Sequence, residues 1–239
     1  MIIVKELRRR FGAIVAVDGI SFQANKGDVL GFLGPNGAGK TTAMRMVACF
    51  LPPNSGTATV CGHDIINDSI EVRKSLGYLA EHAPAYGEMT VGSFLGFICD
   101  ARRIGGKARK EAIERVVDLC AIESVYHQTI ETVSKGYKRR VGLAQALIHN
   151  PPVLILDEPT DGMDPNQKHD VRELITTMAK DKCIVISTHI LEEVDAVCNR
   201  AIIIESGRIL VDSTPEKLKQ QYNASLDEVF RRITNRKAS

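Results

Sequence analysis

Three apolar runs stand out because they are continuous rather than alternating: residues 29–33, 153–156 and 184–186. A strand buried on both faces leaves that pattern, as the central strands of a parallel sheet do. Residues 1–27 differ. Short β-like runs at 2–4, 14–17 and 20–22 alternate there with polar turns, which predicts antiparallel strands ending at Asn25-Lys26-Gly27-Asp28. Further strands are predicted over 57–60, 76–80, 201–205 and 209–211, the last two about the turn Ser206-Gly207. Helices are predicted over 43–51, stopped by Pro52-Pro53, and over 71–76 and 190–198. From residue 90 to 149 helical periodicity takes over, for example at Ile113, Val116, Val117 and Cys120, with Gly105-Gly106 marking a connection. Asp164-Pro165 pairs an N-cap with a first-turn proline. Ser225-Leu226-Asp227-Glu228 reads as a capping box ahead of an amphipathic helix with Leu226, Val229, Phe230 and Ile233 on one face. These elements predict an α/β fold: a parallel central sheet, an N-terminal antiparallel β subdomain and an inserted helical lobe.

Chemistry enters where the first buried strand ends. Gly34-Pro35-Asn36-Gly37-Ala38-Gly39-Lys40-Thr41-Thr42 fits the phosphate-binding pattern G-x-x-x-x-G-K-[ST], with a strand before it and a helix after it. Its glycines let backbone N–H groups turn inward around a phosphate, and the helix start adds partial positive charge. Lys40 would reach the outer phosphates, and the Thr41 hydroxyl would ligate Mg²⁺. A nucleoside triphosphate is the expected ligand. The second apolar run ends in Asp157-Glu158, two acids delivered to the sheet edge where ligands sit in open α/β sheets. Asp157 suits the metal, and Glu158 can face an attacking water as general base. The third run leads to His189 at the same edge. Phe11, after Arg8-Arg9-Arg10, suits either stacking on a base or an ordinary core or edge position.

Bulk properties add exclusions. At 239 residues the chain suits one large domain or one with an inserted lobe. A net charge of +2 makes no case for nucleic acid as partner. The six cysteines form no C-x-x-C pair and read as small buried hydrophobes in a reducing compartment. No apolar stretch approaches the ~20 residues that span a bilayer. Lys5, Glu6 and Arg8-Arg9-Arg10 interrupt any signal core. A cytoplasmic protein without direct membrane insertion is expected.

Together these stations resemble the ATP-binding cassette (ABC) ATPase family over most of the chain. Val133-Ser134-Lys135-Gly136-Tyr137 is similar to the family signature L-S-G-G-Q, with Val133, Lys135 and Tyr137 departing from it. The resemblance implies that Ser134 and Gly136 approach the γ-phosphate of a second subunit's ATP. It also implies that Asp161-Gly162-Met163-Asp164 contacts that subunit and that His189 is a γ-phosphate switch. Phe11, with Val17, joins the nucleotide-binding set, the aromatic stacking on adenine. Glu81 stands where the family usually has glutamine, giving Mg²⁺ an oxygen at the junction of core and lobe. Lys135 breaks the helix-dipole rule at the start of its helix, which suggests attraction of a polyanion. Lys138, Arg139 and Arg140 are expected to form a solvated basic face.

The implied organisation is a single cassette over 1–239: a core of 1–85 and 151–213, a helical subdomain over 86–150, and a helical extension over 214–239. The implied function is ATP hydrolysis driving export through a separate integral membrane permease. Its branch resembles gliding-motility, drug, sodium and polysaccharide exporters. A second ATP-binding subunit completes each site, and the protein sits on the cytoplasmic face of the membrane through the permease. Two other classes compete, a soluble ABC ATPase that remodels macromolecules and a small-molecule kinase. Ser134, Glu158 and His189 argue against the kinase, which would exclude water rather than activate it.

Overall fold

The computed structural model describes residues 1–81 and 86–234; the predicted loop around His82 and Pro84 therefore lies largely outside the described residues, as do residues 235–239. The short β runs at the start merge into two long strands, β1 (Ile2–Phe11) and β2 (Ile14–Ala24), paired antiparallel. β3 (Val29–Leu33) leads into the phosphate loop and α1 (Lys40–Val47). This helix starts earlier and stops sooner than the apolar run predicts. Its exit residue Cys49 adopts φ 60°, and Phe50 turns out to solvent. There follow β4 (Ser55–Val60), β5 (His63–Asp64), α2 (Ser69–Ser75) and β6 (Leu76–Leu79). The helical stretch holds α3 (Val91–Ala101), α4 (Gly106–Leu119) and α5 (Lys135–Leu147). The chain then returns through β7 (Val153–Asp157), α6 (Pro165–Ala179), β8 (Cys183–Thr188), α7 (Leu191–Val197), β9 (Arg200–Glu205) and β10 (Arg208–Ser213). Two helices end it: α8 (Pro215–Tyr222), which the periodicity does not announce, and α9 (Leu226–Thr234).

Among the described residues the strands form two sheets. One is antiparallel, ordered β2-β1-β4-β5; the other runs β10-β9-β3-β8-β7-β6 and is parallel except for β10. Side chains alternate across the parallel sheet and divide the interior in two. Leu30, Phe32, Val153, Ile155, Val185 and Ile202 face α1 and the antiparallel sheet. Leu33, Leu154, Leu156, Ile184, Ile186 and Ile203 face the lobe and the later helices. Both faces are covered, which is why these strands read as unbroken apolar runs. All six cysteines are free thiols; four are buried, and Cys49 and Cys61 are half-buried.

The lobe joins the sheet where β6 meets α5. At Gly77 a Cβ would collide with the Ala146 carbonyl oxygen, so the absence of a side chain sets the approach of strand to helix. Gly77→Ala is expected to destabilise the protein by about 1–3 kcal/mol, the usual range for overpacking. A lower urea midpoint at unchanged slope would show it, and an unchanged midpoint would refute it.

Candidate functional site

Because β3, β6, β7 and β8 run parallel, their C-terminal ends reach one edge. That edge carries the phosphate loop after β3, Glu81 beyond β6, Asp157 and Glu158 at the end of β7, and His189 after β8. A cleft of about 460 Å³ opens there, lined by Phe11, Asn36 to Thr42, Glu81 and Glu158, together with Ile14, Val15 and Ala16. Gly39 holds φ 104° as the N-cap of α1, and a Cβ there would strike the Ala16 carbonyl. Only glycine meets both conditions without strain. The turn between β9 and β10 braces the loop, since Gly207 donates its N–H to Ala38 (2.9 Å) and accepts from Asp18 (2.9 Å). The first N–H groups of α1 have no partner one turn back and open toward the cleft, where an anion would satisfy them.

Lys40 is buried at the cleft floor and donates to the carbonyls of Gly34 (2.6 Å) and Pro35 (3.1 Å). Burial lowers its pKa, while the carboxylates of Glu158, Asp157 and Glu81 oppose that shift. Glu158 follows β7 in a left-handed turn, φ 52°, pinned by its N–H to Ser187 O at 2.8 Å. One carboxylate oxygen lies 2.8 Å from His189 Nδ1, which leaves the histidine Nε2 for another partner. Behind this pair, Glu193 is buried and accepts hydrogen bonds from Thr160 and from Thr188 (2.8 Å). Burial raises the Glu193 pKa, and the Thr188 hydroxyl opposes it. The loop bearing Glu158 and the strand end bearing His189 are thus tied by one carboxylate.

Asp157 is the most telling group. Both its oxygens are buried without a completed hydrogen bond, and so is the neighbouring Ser187 hydroxyl. Burial raises its pKa, while the nearby Ser187 and Thr41 hydroxyls favour its ionised form. An orphaned carboxylate beside a threonine hydroxyl is destabilised unless a cation or water joins it. The residues therefore fit Mg²⁺. Among the described residues no cluster of three or more His, Cys, Asp and Glu could hold a metal unaided. Mg²⁺ requires none, because phosphates and waters supply most of its ligands.

Several expected site residues lie apart from the cleft. Val17 is fully buried in the core and does not line the cleft; Val15 does. The register irregularity between Arg9 and Arg10, where β2 advances from Val17 to Val15, turns the strand between those two valines. Phe11 is 45% exposed at the cleft mouth, with the Arg9 guanidinium 4.8 Å from its ring centre. Ser134 caps α5 by accepting from Tyr137 N, and Gly136 is buried against Gln167. Neither lines the cleft. Lys135 pairs with Asp161 at 2.9 Å, its stem lying over Gly162.

The solvated basic face is corrected. Arg139 and Arg140 are both buried, the first bonded to strand-end carbonyls and the second to Cys120 O and Asp170. Lys138 reaches back to Glu131 O at 2.9 Å. Sequence reasoning also missed Ile14, Val15, Thr160 and Glu193. A hint existed for the first two, since Ile14 and Val15 are apolar yet close a hairpin tip. Nothing local marks the others.

The fold and this cleft define a P-loop nucleoside-triphosphate-binding protein. The sequence profile described as ABC transporter matches residues 17–161, more than half the chain. The chain belongs to the ABC transporter family, as one of its ATP-binding cassettes. It is 35% identical over 218 residues to the probable multidrug ABC transporter ATP-binding protein YbhF of Escherichia coli, covering 91% of this chain and 38% of that protein. It is 33% identical to the ABC transporter ATP-binding protein YxlF of Bacillus subtilis, covering 95% of this chain and 75% of the relative. With the Nod factor export ATP-binding protein I of Rhizobium sp. it shares 35% identity, covering 94% and 74%. The chain thus spans well under half of the first relative and about three quarters of the other two. Among solved structures, an ATP-binding subunit of an ABC transporter superposes with a TM-score of 0.89 at 26% identity, covering 98% and 99% of the two chains. The dimeric post-hydrolysis cassette MJ0796, bound to ADP and Pi, gives 0.82 at 20% identity over 90% and 98% of the chains and shows the fold alone.

Proposed function

We propose that the chain hydrolyses ATP to power export through a separate membrane permease, as one cassette over 1–239 with the subdivisions given above. The observation that carries hydrolysis is that Glu158, which lines the cleft that Lys40 floors, is paired with His189. A carboxylate held so can take a proton from water, while Lys40 would exchange its loop carbonyls for the outer phosphates. Gly34 to Thr42 would cradle the phosphates and Phe11 would stack on the base. Thr41, Asp157 and Glu81 would hold Mg²⁺, which when bound neutralises phosphate charge. Export is supported by the names of the relatives, multidrug and Nod factor export among them. Among the described residues no helix is long and apolar enough to cross a membrane. The protein is read as peripheral on the cytoplasmic face through the permease.

Two cassettes would face each other, with Ser134 and Gly136 of each completing the other's site. Both residues stand outside their own cleft, which supports a role in trans. Phosphate release without any added acceptor tests hydrolysis, and copurification with a polytopic protein from detergent-solubilised membranes tests the permease. Acceptor-dependent turnover would point to a kinase instead.

Glu81 and Glu158 both line the cleft, yet only Glu158 is bonded to His189. Glu81→Gln keeps an oxygen and is expected to raise the Mg²⁺ needed for half activity. Saturated turnover should stay within about tenfold, below the ~10²-fold loss typical of removing a general base. Phosphate release across a Mg²⁺ titration measures both. Turnover abolished at saturating metal would reverse the assignment of the base.

A further inference from the structure

Arg139 is a buried cation beside the cleft acids that the functional reading leaves unused. It stands on α5, five residues past the N-cap Ser134. Its guanidinium donates to Ala80 O (2.6 Å) and Glu81 O (2.9 Å), just beyond β6. It also donates to Asp157 O and twice to Glu158 O (3.0 and 2.6 Å), at the end of β7. Four carbonyls from two chain segments converge on one rigid fork of donors, a task that the point charge of lysine cannot perform. Burial lowers the Arg139 pKa, but Asp157, Asp161, Glu158 and Glu81 surround it and oppose the shift. Three of the four carbonyls belong to the acids Glu81, Asp157 and Glu158, and the fourth, Ala80, precedes one.

We propose that Arg139 is a positioning residue for the metal: by holding the backbone ends of β6 and β7 together, it sets the spacing of Glu81 and Asp157, and it ties that spacing to the helix whose first turn carries Ser134. This rests on the reading of Glu81 and Asp157 as Mg²⁺ ligands. Strand pairing alone does not fix the spacing, because the β6–β7 ladder stops at Leu79 and Leu156. Beyond that point the guanidinium bridges the two segments. Arg139 donates to no residue of the phosphate loop, where Lys40 makes its own bonds, so nucleotide binding without metal is expected to be independent of the bridge.

The test is the affinity of the protein–ADP complex for Mn²⁺, read from loss of the free ion's EPR signal, alongside ADP binding in EDTA. Arg139→Gln and Arg139→Lys are each expected to weaken Mn²⁺ binding by about tenfold or more, the scale seen when groups orienting metal ligands are removed. ADP binding in EDTA should change by less than about twofold, which also reports that the cleft is folded. The lysine variant keeps the charge and serves if the glutamine variant fails to fold. Asp157→Asn is the control. If Asp157→Asn weakens Mn²⁺ binding and neither folded Arg139 variant does, the role of Arg139 is overturned while the metal reading stands. If Asp157→Asn changes nothing, the metal reading falls and takes the proposal with it.

Discussion

Glu158→Gln is expected to reduce phosphate release by about 10²–10⁴-fold, the contribution typical of a general base, while ATP binding persists. Glu158 is fixed at three points: its backbone N–H donates to Ser187 O, one carboxylate oxygen is bonded to His189, and the other lies 3.4 Å from Thr188. An amide keeps the shape and the contact with the histidine but cannot accept the proton from water. Lys40 and the phosphate loop are untouched, so ATP should accumulate unhydrolysed and hold two cassettes together. Single-turnover phosphate release and size exclusion with ATP measure the two halves. Near-normal turnover would remove Glu158 from the role of base, and a monomer at all concentrations would count against a shared site.

Lys40→Ala should weaken ATP binding by about 10- to 100-fold, since hydrogen bonds to charged groups contribute about 1.5–3 kcal/mol. The alanine also leaves the carbonyls of Gly34 and Pro35 without their donor. Ser134→Ala should behave differently. It removes the cap on α5 but touches nothing in its own cleft, so monomer binding survives and hydrolysis fails. Mixing the two inactive variants is then expected to restore about one working site per mixed dimer. That site combines an intact phosphate loop with an intact Ser134 from the neighbour. Mixed dimers that release no phosphate would sink the assignment of Ser134 to its partner's nucleotide.

What the sequence determined by itself is the set of groups whose placement follows from the chain next to them. The phosphate loop needs only its own glycines, the strand before it and the helix after it. Asp157, Glu158 and His189 are legible because each ends a continuous apolar run, and parallel strands bring such ends to one edge. Alternation also predicted the antiparallel pairing of the first strands, though not their full length, because polar Arg8, Arg9 and Arg10 continue β1 past Leu7, its last buried residue.

Only the tertiary structure decided the rest. Val15 rather than Val17 meets the cleft because an irregular register turns the strand, and register depends on the partner strand rather than on composition. Lys138, Arg139 and Arg140 look alike as a run of cations. Folding separates them, taking Arg139 to the carbonyls beyond β6 and β7, Arg140 to Asp170, and leaving Lys138 at Glu131. A buried arginine is tolerated only where backbone oxygens and acids converge. That convergence joins residues 80–81, 139 and 157–158 across the fold, so no local pattern could announce it.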